Sequence, residues 1–247
     1  MYNFFHVVFY QPILNLLIFL YNVIPGHDIG LAIIALTILI KLAFLPLSKK
    51  AIESQKSLQD IQPKIEALKK EYANDKEKMG KEMMNLYKEE KVNPFSSCLP
   101  LLIQLPFLWA VFEVFRDGLS GKGLDLVYGF IYRPEVINYV SFGVINLAKP
   151  NVVLAILAGL AQFWQAKMMI TTRPAVKGEG SKDEDMAAIM NKQMLYFMPA
   201  LTVFFCLSFP GGLALYWLIT TVLAILQQAY LFKQKTTIKS EVVVIDK

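Results

Sequence analysis

Five uninterrupted apolar runs limit the fold of this chain more than any other feature of its sequence. A helix that rises 1.5 Å per residue needs about 20 apolar residues to cross the hydrocarbon core of a bilayer, and each run is close to that length. None shows the alternation of apolar and polar residues that is typical of membrane barrel strands. The sequence therefore predicts an all-α integral membrane protein with five transmembrane helices. The predicted spans are residues 29–48, 94–116, 150–169, 192–209 and 212–232.

The positive charges are distributed unevenly between the segments that join these spans. Eleven Lys or Arg residues lie from Lys49 to Lys91, five from Lys167 to Lys192 and four after residue 232, whereas the opposite side holds only four. Short cytoplasmic segments are enriched in Lys and Arg, so this pattern predicts an outside N-terminus and a cytoplasmic C-terminus. The net charge of +5 then reflects sidedness and not nucleic-acid binding. The predicted connecting segments are a cytoplasmic helical hairpin (49–93), an extracytoplasmic segment (117–149), a cytoplasmic loop (170–191) and a cytoplasmic tail (233–247).

The first 28 residues contain no Lys, Arg or Glu. Gln11, Asn15 and Asn22 fall within a narrow arc of a helical wheel, and most of the remaining surface is apolar. This amphipathic pattern predicts an N-terminal interfacial helix within residues 1–28, lying in the outer membrane interface. A sixth span is the alternative, because residues 2–12 would extend the apolar stretch at 13–24 to the required length.

The segment after the first span is rich in Lys and Glu and carries apolar residues at helical spacing. Asn74-Asp75 interrupts this pattern near its middle, which predicts two helices joined by a turn. About 45 residues is far more than two neighbouring spans need for their connection. We therefore expect the hairpin to have a role of its own, with a plain solvated linker as the alternative.

The predicted extracytoplasmic segment mixes glycines, charges and two apolar pieces. These pieces cover residues 124–132 and 136–147. They are too short to cross a bilayer, so the sequence predicts short interfacial or re-entrant helices there.

Polar residues inside the spans are concentrated in the predicted cytoplasmic halves. Lys41 is the most unusual of them, because a cation at membrane depth costs roughly 2.5 to 3.5 kcal/mol on insertion scales and is a functional-site hypothesis by default. Snorkelling of its side chain to the interface is the alternative. Each amide alone is best explained by an interhelical hydrogen bond, but the set together predicts a wet groove that opens inward and is closed outward. The predicted groove residues are Thr37, Lys41, Gln104, Gln162, Gln165, Thr220 and Gln227.

Several other functions find little support in the sequence. His6 and His27 both lie toward the predicted outside, and no G-x-S-x-G or H-E-x-x-H motif is present, which argues against an intramembrane protease. Cys98 and Cys206 are too isolated to predict a disulfide or a metal site. A small-solute transporter or channel is the main alternative. However, polarity does not extend across the full membrane thickness, and paired repeats are lacking.

Several segments of the chain resemble the YidC/Oxa1/Alb3 family of membrane protein insertases. No single motif is diagnostic, but their order and spacing are specific, and the match runs from about residue 28 to 235. The matching segments are I-L-I-K-L-A-F-L-P-L in the first span, Ile61-Gln62-Pro63 and Leu86-Tyr87-Lys88-Glu89 in the hairpin, Asn93-Pro94 through Cys98 and Pro100 to Gln104-Leu105-Pro106, and Phe209-Pro210-Gly211-Gly212 through Tyr216-Trp217 to Gln227-Gln228.

The resemblance implies an insertase and chaperone of the short, five-span bacterial form, located in the bacterial cell membrane. We expect it to act as a monomer, without cofactor or metal. Its implied partners are nascent membrane proteins and lipids, often with ribosomes and sometimes beside the Sec translocon. The family places an arginine in a hydrophilic groove in its first span; Lys41 stands at that position here, so the charge is kept but the bidentate fork is lost. We expect Met79, Met83 and Met84 of the hairpin to capture substrate as adaptable apolar contacts. No P-loop is present, so insertion is expected to proceed without nucleotide.

Overall fold

The computed structural model describes residues 2–93, 99–118, 123–169 and 193–245. Most of the described chain is helical. The predicted loop at 170–191 and Cys98 lie outside these residues. The helices are α1 (Tyr2–Phe5, His6–Tyr10 and Gln11–Val23 in succession, the middle piece a π-helix), α2 (Ile29–Ala43), α3 (Leu45–Glu71), α4 (Lys76–Glu89), α5 (Leu99–Glu113, followed by a π-turn at Val114–Gly118), α6 (Val152–Met169), α7 (Gln193–Phe197 and Met198–Ser208) and α8 (Gly211–Ile245).

A helix lies on each of the five apolar runs, namely α2, α5, α6, α7 and α8. Among the described residues, two helices are by themselves long and apolar enough to cross a membrane: His6–Val23 in α1 and Gly211–Phe232 in α8. The number rises to three if α2 and α3, which meet at an angle of 67°, count as one broken span. The sequence predicts that α1 lies in the interface, but its His6–Val23 part is also long enough to span a membrane. The placement of α1 in the membrane stays a prediction.

The first predicted span, 29–48, contains a break in the helix near its far end, and its extent in the membrane stays a prediction. The helix α2 stops at Ala43, and Phe44 leaves helical geometry before α3 begins at Leu45. Pro46 accounts for the break, because its ring would clash with the carbonyl one turn earlier and it has no N–H to donate. It occupies the first turn of α3, where both properties are tolerated.

The two helices α3 and α4 form an antiparallel pair that turns at residues 72–75. Asp75 caps α4 by accepting a hydrogen bond from the Lys78 N–H at 3.0 Å. Ile61 and Ile65 are buried on α3, as the helical spacing of apolar residues in the sequence would require. Elsewhere α3 lies against α8, where the Lys56 ammonium is 5.1 Å from the centroid of the Phe232 ring.

The segment between α5 and α6 does not form the helices predicted at 124–132 and 136–147. It contains one 3₁₀ turn (Leu124–Leu126) and a small antiparallel hairpin of β1 (Val140–Ser141) and β2 (Ile145–Asn146). Phe142 and Gly143 at the hairpin turn both have positive φ, which no helix allows. Side chains of α1 form hydrogen bonds with backbone groups of this segment. Those groups therefore cannot form the backbone hydrogen bonds of a helix.

The buried core lies between α1, α2, α5, α6 and α8, with α7 packed on α6. Gly159 lets α6 and α7 approach closely, because a Cβ there would lie 2.3 Å from a Val203 methyl group. We call the end of the bundle where α2 meets α3 the hairpin end. The opposite end, where the 123–150 segment covers the start of α2 and α8, is the loop end.

Candidate functional site

The last helix, α8, forms side-chain hydrogen bonds with three other helices. On the side toward its N-terminus, the Tyr216 hydroxyl accepts a hydrogen bond from Gln104 Nε2 of α5 at 3.1 Å. Near the hairpin end, Gln227 Nε2 donates to Ser48 Oγ of α3 at 2.9 Å. The polar side chains of α8 therefore extend from the interior of the bundle to the hairpin end.

The third of these bonds joins α8 to α6. The Trp217 indole N–H donates to Gln162 Oε1 at 3.5 Å, a long and therefore weak bond. Gln165, three residues further along α6, is half-buried. Gln162 thus lies where α6 contacts α8.

Thr220 follows Tyr216 by one helical turn on α8. Its hydroxyl oxygen is buried and interacts with the Tyr216 hydroxyl. The Gln228 side-chain oxygen is buried and has no hydrogen-bond partner among the residues described. A buried polar atom without a partner is costly, and water or a polar ligand group would relieve that cost.

Thr37 and Lys41 occupy one face of α2 and differ sharply in their surroundings. Thr37 is fully buried, and its hydroxyl donates to the Ile33 carbonyl at 2.7 Å. Lys41, one turn further and in the last turn of α2, is half-buried. Within the described part of the chain, its ammonium makes no hydrogen bond or ion pair. A cation is thus held at the edge of the core, and the helix dipole favours it there.

The three methionines predicted to capture substrate all lie on α4. Met79 and Met83, four residues apart, are half-buried, whereas Met84 is exposed. A methionine side chain on the surface of a helix is an adaptable apolar contact. Their role in capture stays a prediction.

The loop end is closed by a set of hydrogen bonds around Asp28. Its carboxylate caps α2 by accepting from the N–H groups of Gly30 (2.8 Å) and Leu31 (3.1 Å). It also accepts from the Phe142 N–H at 2.7 Å and from the Ser141 hydroxyl. Burial raises the pKa of Asp28, but these four hydrogen bonds outweigh it and hold the pKa below its ordinary value of 3.8.

Sequence reasoning identified the polar residues of the spans but missed their partners. Ser48, Tyr216 and Trp217 were not among the predicted groove residues, although each binds one that was. The spacing of Tyr216 and Thr220, one turn apart, was the signal that could have found the tyrosine. Nothing in the sequence indicated that Ser48 would reach across to α8.

The apolar helices, together with polar side chains that converge inside the bundle, define the class of an α-helical membrane protein. The chain matches the family model described as 60Kd inner membrane protein over residues 19–239. It is 34% identical to a membrane protein insertase YidC of Fusobacterium nucleatum subsp. nucleatum, covering 91% of this chain and 97% of that protein. The proteins of the same name from Magnetococcus marinus and Geotalea daltonii are 35% and 36% identical over 94% and 90% of this chain.

The chain therefore belongs to the YidC family of membrane protein insertases, as its sequence motifs predicted. It spans nearly the whole length of the Fusobacterium relative but only 37% of the other two. What it shares with the longer relatives is thus a part of their length that includes the helices described above.

Proposed function

We propose that the protein is an insertase and chaperone that receives nascent membrane proteins at its hairpin end. Membership of the family supports the activity, and the relatives' name supports the substrate class. The observation that carries the proposal for the site is Lys41: a half-buried ammonium for which the described residues provide no counter-ion. A cation in that position faces water or a ligand, because full burial without a partner would be too costly.

In this mechanism, Lys41 attracts the polar tail of a substrate into the bundle from the hairpin end. Acidic residues of the tail would pair with the ammonium transiently, at an energy set by partial exposure to water. The Gln228 side-chain oxygen, which has no hydrogen-bond partner among the described atoms, offers a further polar contact. The tail then has a shorter apolar layer to cross before it reaches the loop end.

The hydrophobic segment of the substrate would leave sideways along α6 and α8. Leu160 and Trp164 of α6 and Leu226 and Tyr230 of α8 are large side chains that face outward from the bundle. Moving a 20-residue apolar helix from water to lipid releases about 25 cal/mol per Å² of apolar surface, which is ample to drive the step without nucleotide. This surface would guide the segment into lipid and would not retain it.

We assign the first contact with substrate to α4, where Met84 is exposed and Met79 and Met83 are accessible in part. The proposed orientation places the hairpin end and the C-terminus in the cytoplasm, supported by the distribution of Lys and Arg. Ribosomes and the Sec translocon would then meet the protein at this end and in the membrane, respectively. We take the monomer to be the functional unit.

Reconstitution into lipid vesicles with a single-span substrate tests the role of Lys41. Lys41→Ala should reduce the insertion rate by about tenfold, equivalent to about 1.4 kcal/mol, whereas Lys41→Arg should insert at nearly the normal rate. Lys50→Ala is the matched control, since Lys50 is an exposed lysine near the start of α3. A substrate whose tail carries no acidic residues should lose most of the dependence on Lys41.

Equal insertion by the alanine, arginine and unmodified proteins would remove Lys41 from the mechanism. Thermal unfolding of the purified variants in detergent is the fold control. A loss of insertion accompanied by a comparable loss of stability would assign Lys41 a structural role instead.

A further inference from the structure

The segment between α5 and α6 displays an apolar surface that the insertion mechanism does not use. Phe130, Tyr132, Val136 and Val144 leave 84%, 74%, 79% and 81% of their surface exposed. Single exposed apolar residues are ordinary, but four so exposed within one short segment mark an interaction surface. We call these four residues the loop-end rim. The Tyr128 ring stacks on that of Phe130, with centroids 5.5 Å apart.

Backbone carbonyls beside the rim are bonded to protein side chains. The Leu126 carbonyl accepts from the amides of Gln11 (3.1 Å) and Asn15 (3.2 Å), and the Tyr132 carbonyl accepts from the Asn22 amide at 2.6 Å. Irregular backbone is tolerated at membrane depth only where its polar groups find such partners. These carbonyl groups of the segment therefore need no hydrogen bonds from water.

The same hydrogen bonds determine which side chains of α1 remain exposed. Gln11, Asn15 and Asn22 are the polar stripe that predicted contact with the aqueous side of the interface, and all three instead bind the segment. Phe19 and Val23 remain exposed on α1. The helix and the segment are thus joined by these hydrogen bonds, and both leave large apolar side chains exposed.

The position of the rim follows from the contacts of Asp28. Its carboxylate caps α2 and accepts a hydrogen bond from the Phe142 N–H at 2.7 Å, two residues before Val144. The tip of the small β hairpin is therefore held at the level where the apolar helix α2 begins. Where α2 begins a span, as the sequence predicts, that level is the boundary between headgroups and hydrocarbon, at which aromatic side chains are favoured.

We infer that the loop-end rim is a membrane-contacting surface, inserted into the interfacial layer of the phospholipid bilayer at the loop end. Three features carry the inference: the exposure of the four rim side chains, the hydrogen bonds from α1 to the backbone beside them, and the tether to the start of α2. The rim would anchor the segment that covers the loop end and hold it against the membrane surface.

Collision measurements on nitroxide labels test this assignment in the whole chain, reconstituted into phosphatidylcholine and phosphatidylglycerol vesicles. Single cysteines replace Phe130, Val136 or Val144 in a background lacking Cys98 and Cys206. Molecular oxygen concentrates in lipid, whereas a water-soluble nickel chelate does not. At the three rim positions we expect oxygen collisions to exceed nickel collisions several-fold.

The control is a label at Glu135, which is exposed and adjacent to Val136 in the same segment. Nickel collisions should dominate there, because a charged residue left exposed on the protein surface indicates a position in water and not in lipid. Nickel collisions at the rim equal to those at Glu135 would place the rim in water and overturn the inference. Low collision rates with both reagents would mean that protein, such as a second copy of the chain, covers the rim, and would equally overturn it. Neither readout depends on insertion activity.

Discussion

Replacing the Asp28 carboxylate with an amide should loosen the loop end of the bundle. The carboxylate accepts hydrogen bonds from the N–H groups of Gly30 and Leu31 through Oδ1 and from that of Phe142 through Oδ2. The substitution Asp28→Asn keeps one side-chain oxygen, which can still cap α2. The NH₂ group of the new amide, however, would face the Phe142 N–H, and two donors cannot bond to each other.

The change in the free energy of unfolding can be estimated from the hydrogen bonds that the substitution removes. A hydrogen bond to a charged group contributes about 1.5 to 3 kcal/mol when it is well shielded from water. Asp28 is only half-buried, so water replaces part of that loss. The helix cap itself, worth about 1 kcal/mol, is largely retained by the amide oxygen. We therefore expect Asp28→Asn to lower the free energy of unfolding by about 1 to 2 kcal/mol at neutral pH.

The pH dependence of stability provides a second, independent test of the Asp28 hydrogen bonds. Because the pKa of Asp28 is lowered in the folded protein, its contribution to stability is fully present above its ordinary pKa of 3.8. The contribution is lost as the pH falls through the lower pKa of the folded state. The difference in stability between the unmodified protein and Asp28→Asn should therefore shrink below about pH 4.

Unfolding in mixed detergent micelles by added dodecyl sulfate, followed by circular dichroism, measures both effects. Asp125→Asn is the control, because Asp125 is an exposed acid of the same segment whose carboxylate pairs with Arg133. It should change stability by less than about 0.5 kcal/mol. If Asp28→Asn behaved like Asp125→Asn at pH 7, the hydrogen bonds of Asp28 would not stabilise the loop end, and the reasoning would be refuted.

Two further substitutions test packing and polar contacts in the same unfolding assay. Gly30→Ala should cost about 1 to 3 kcal/mol, because the added Cβ would lie 1.9 Å from Ser141 Oγ. Gly129→Ala, with no heavy atom within 4 Å of its added Cβ, should be nearly neutral, and equal effects would contradict the steric argument. Tyr216→Phe should cost about 0.6 kcal/mol, the average for hydrogen bonds within membrane bundles, because Gln104 loses its partner. An unchanged stability would mean that water replaces the tyrosine hydroxyl.

The positions of the helices could be predicted from the sequence because the signals for them are local. Apolar runs, helical spacing and the Asn74-Asp75 turn each act over a few residues, and a helix lies on every run predicted as a span. The break in the helix after Ala43 was not predicted, because Pro46 lies within the same mostly apolar run as α2.

The segment between α5 and α6 could not be predicted in the same way. Its apolar pieces at 124–132 and 136–147 carry no strong local signal for either helix or strand. Gln11, Asn15 and Asn22, more than a hundred residues away in the chain, bind its backbone. Such bonds depend on how α1 lies against the segment, and a local pattern contains no information about that.

The sequence by itself determined that this is a helical membrane protein and which polar residues lie within its apolar runs. The tertiary structure decided which of those residues satisfy one another. Gln104 meets Tyr216 and Gln227 meets Ser48, while Lys41 has no such partner among the described residues. The reason is physical: composition sets the cost of a polar group in an apolar helix, but rotation and packing of the helices decide whether another side chain or water offsets that cost.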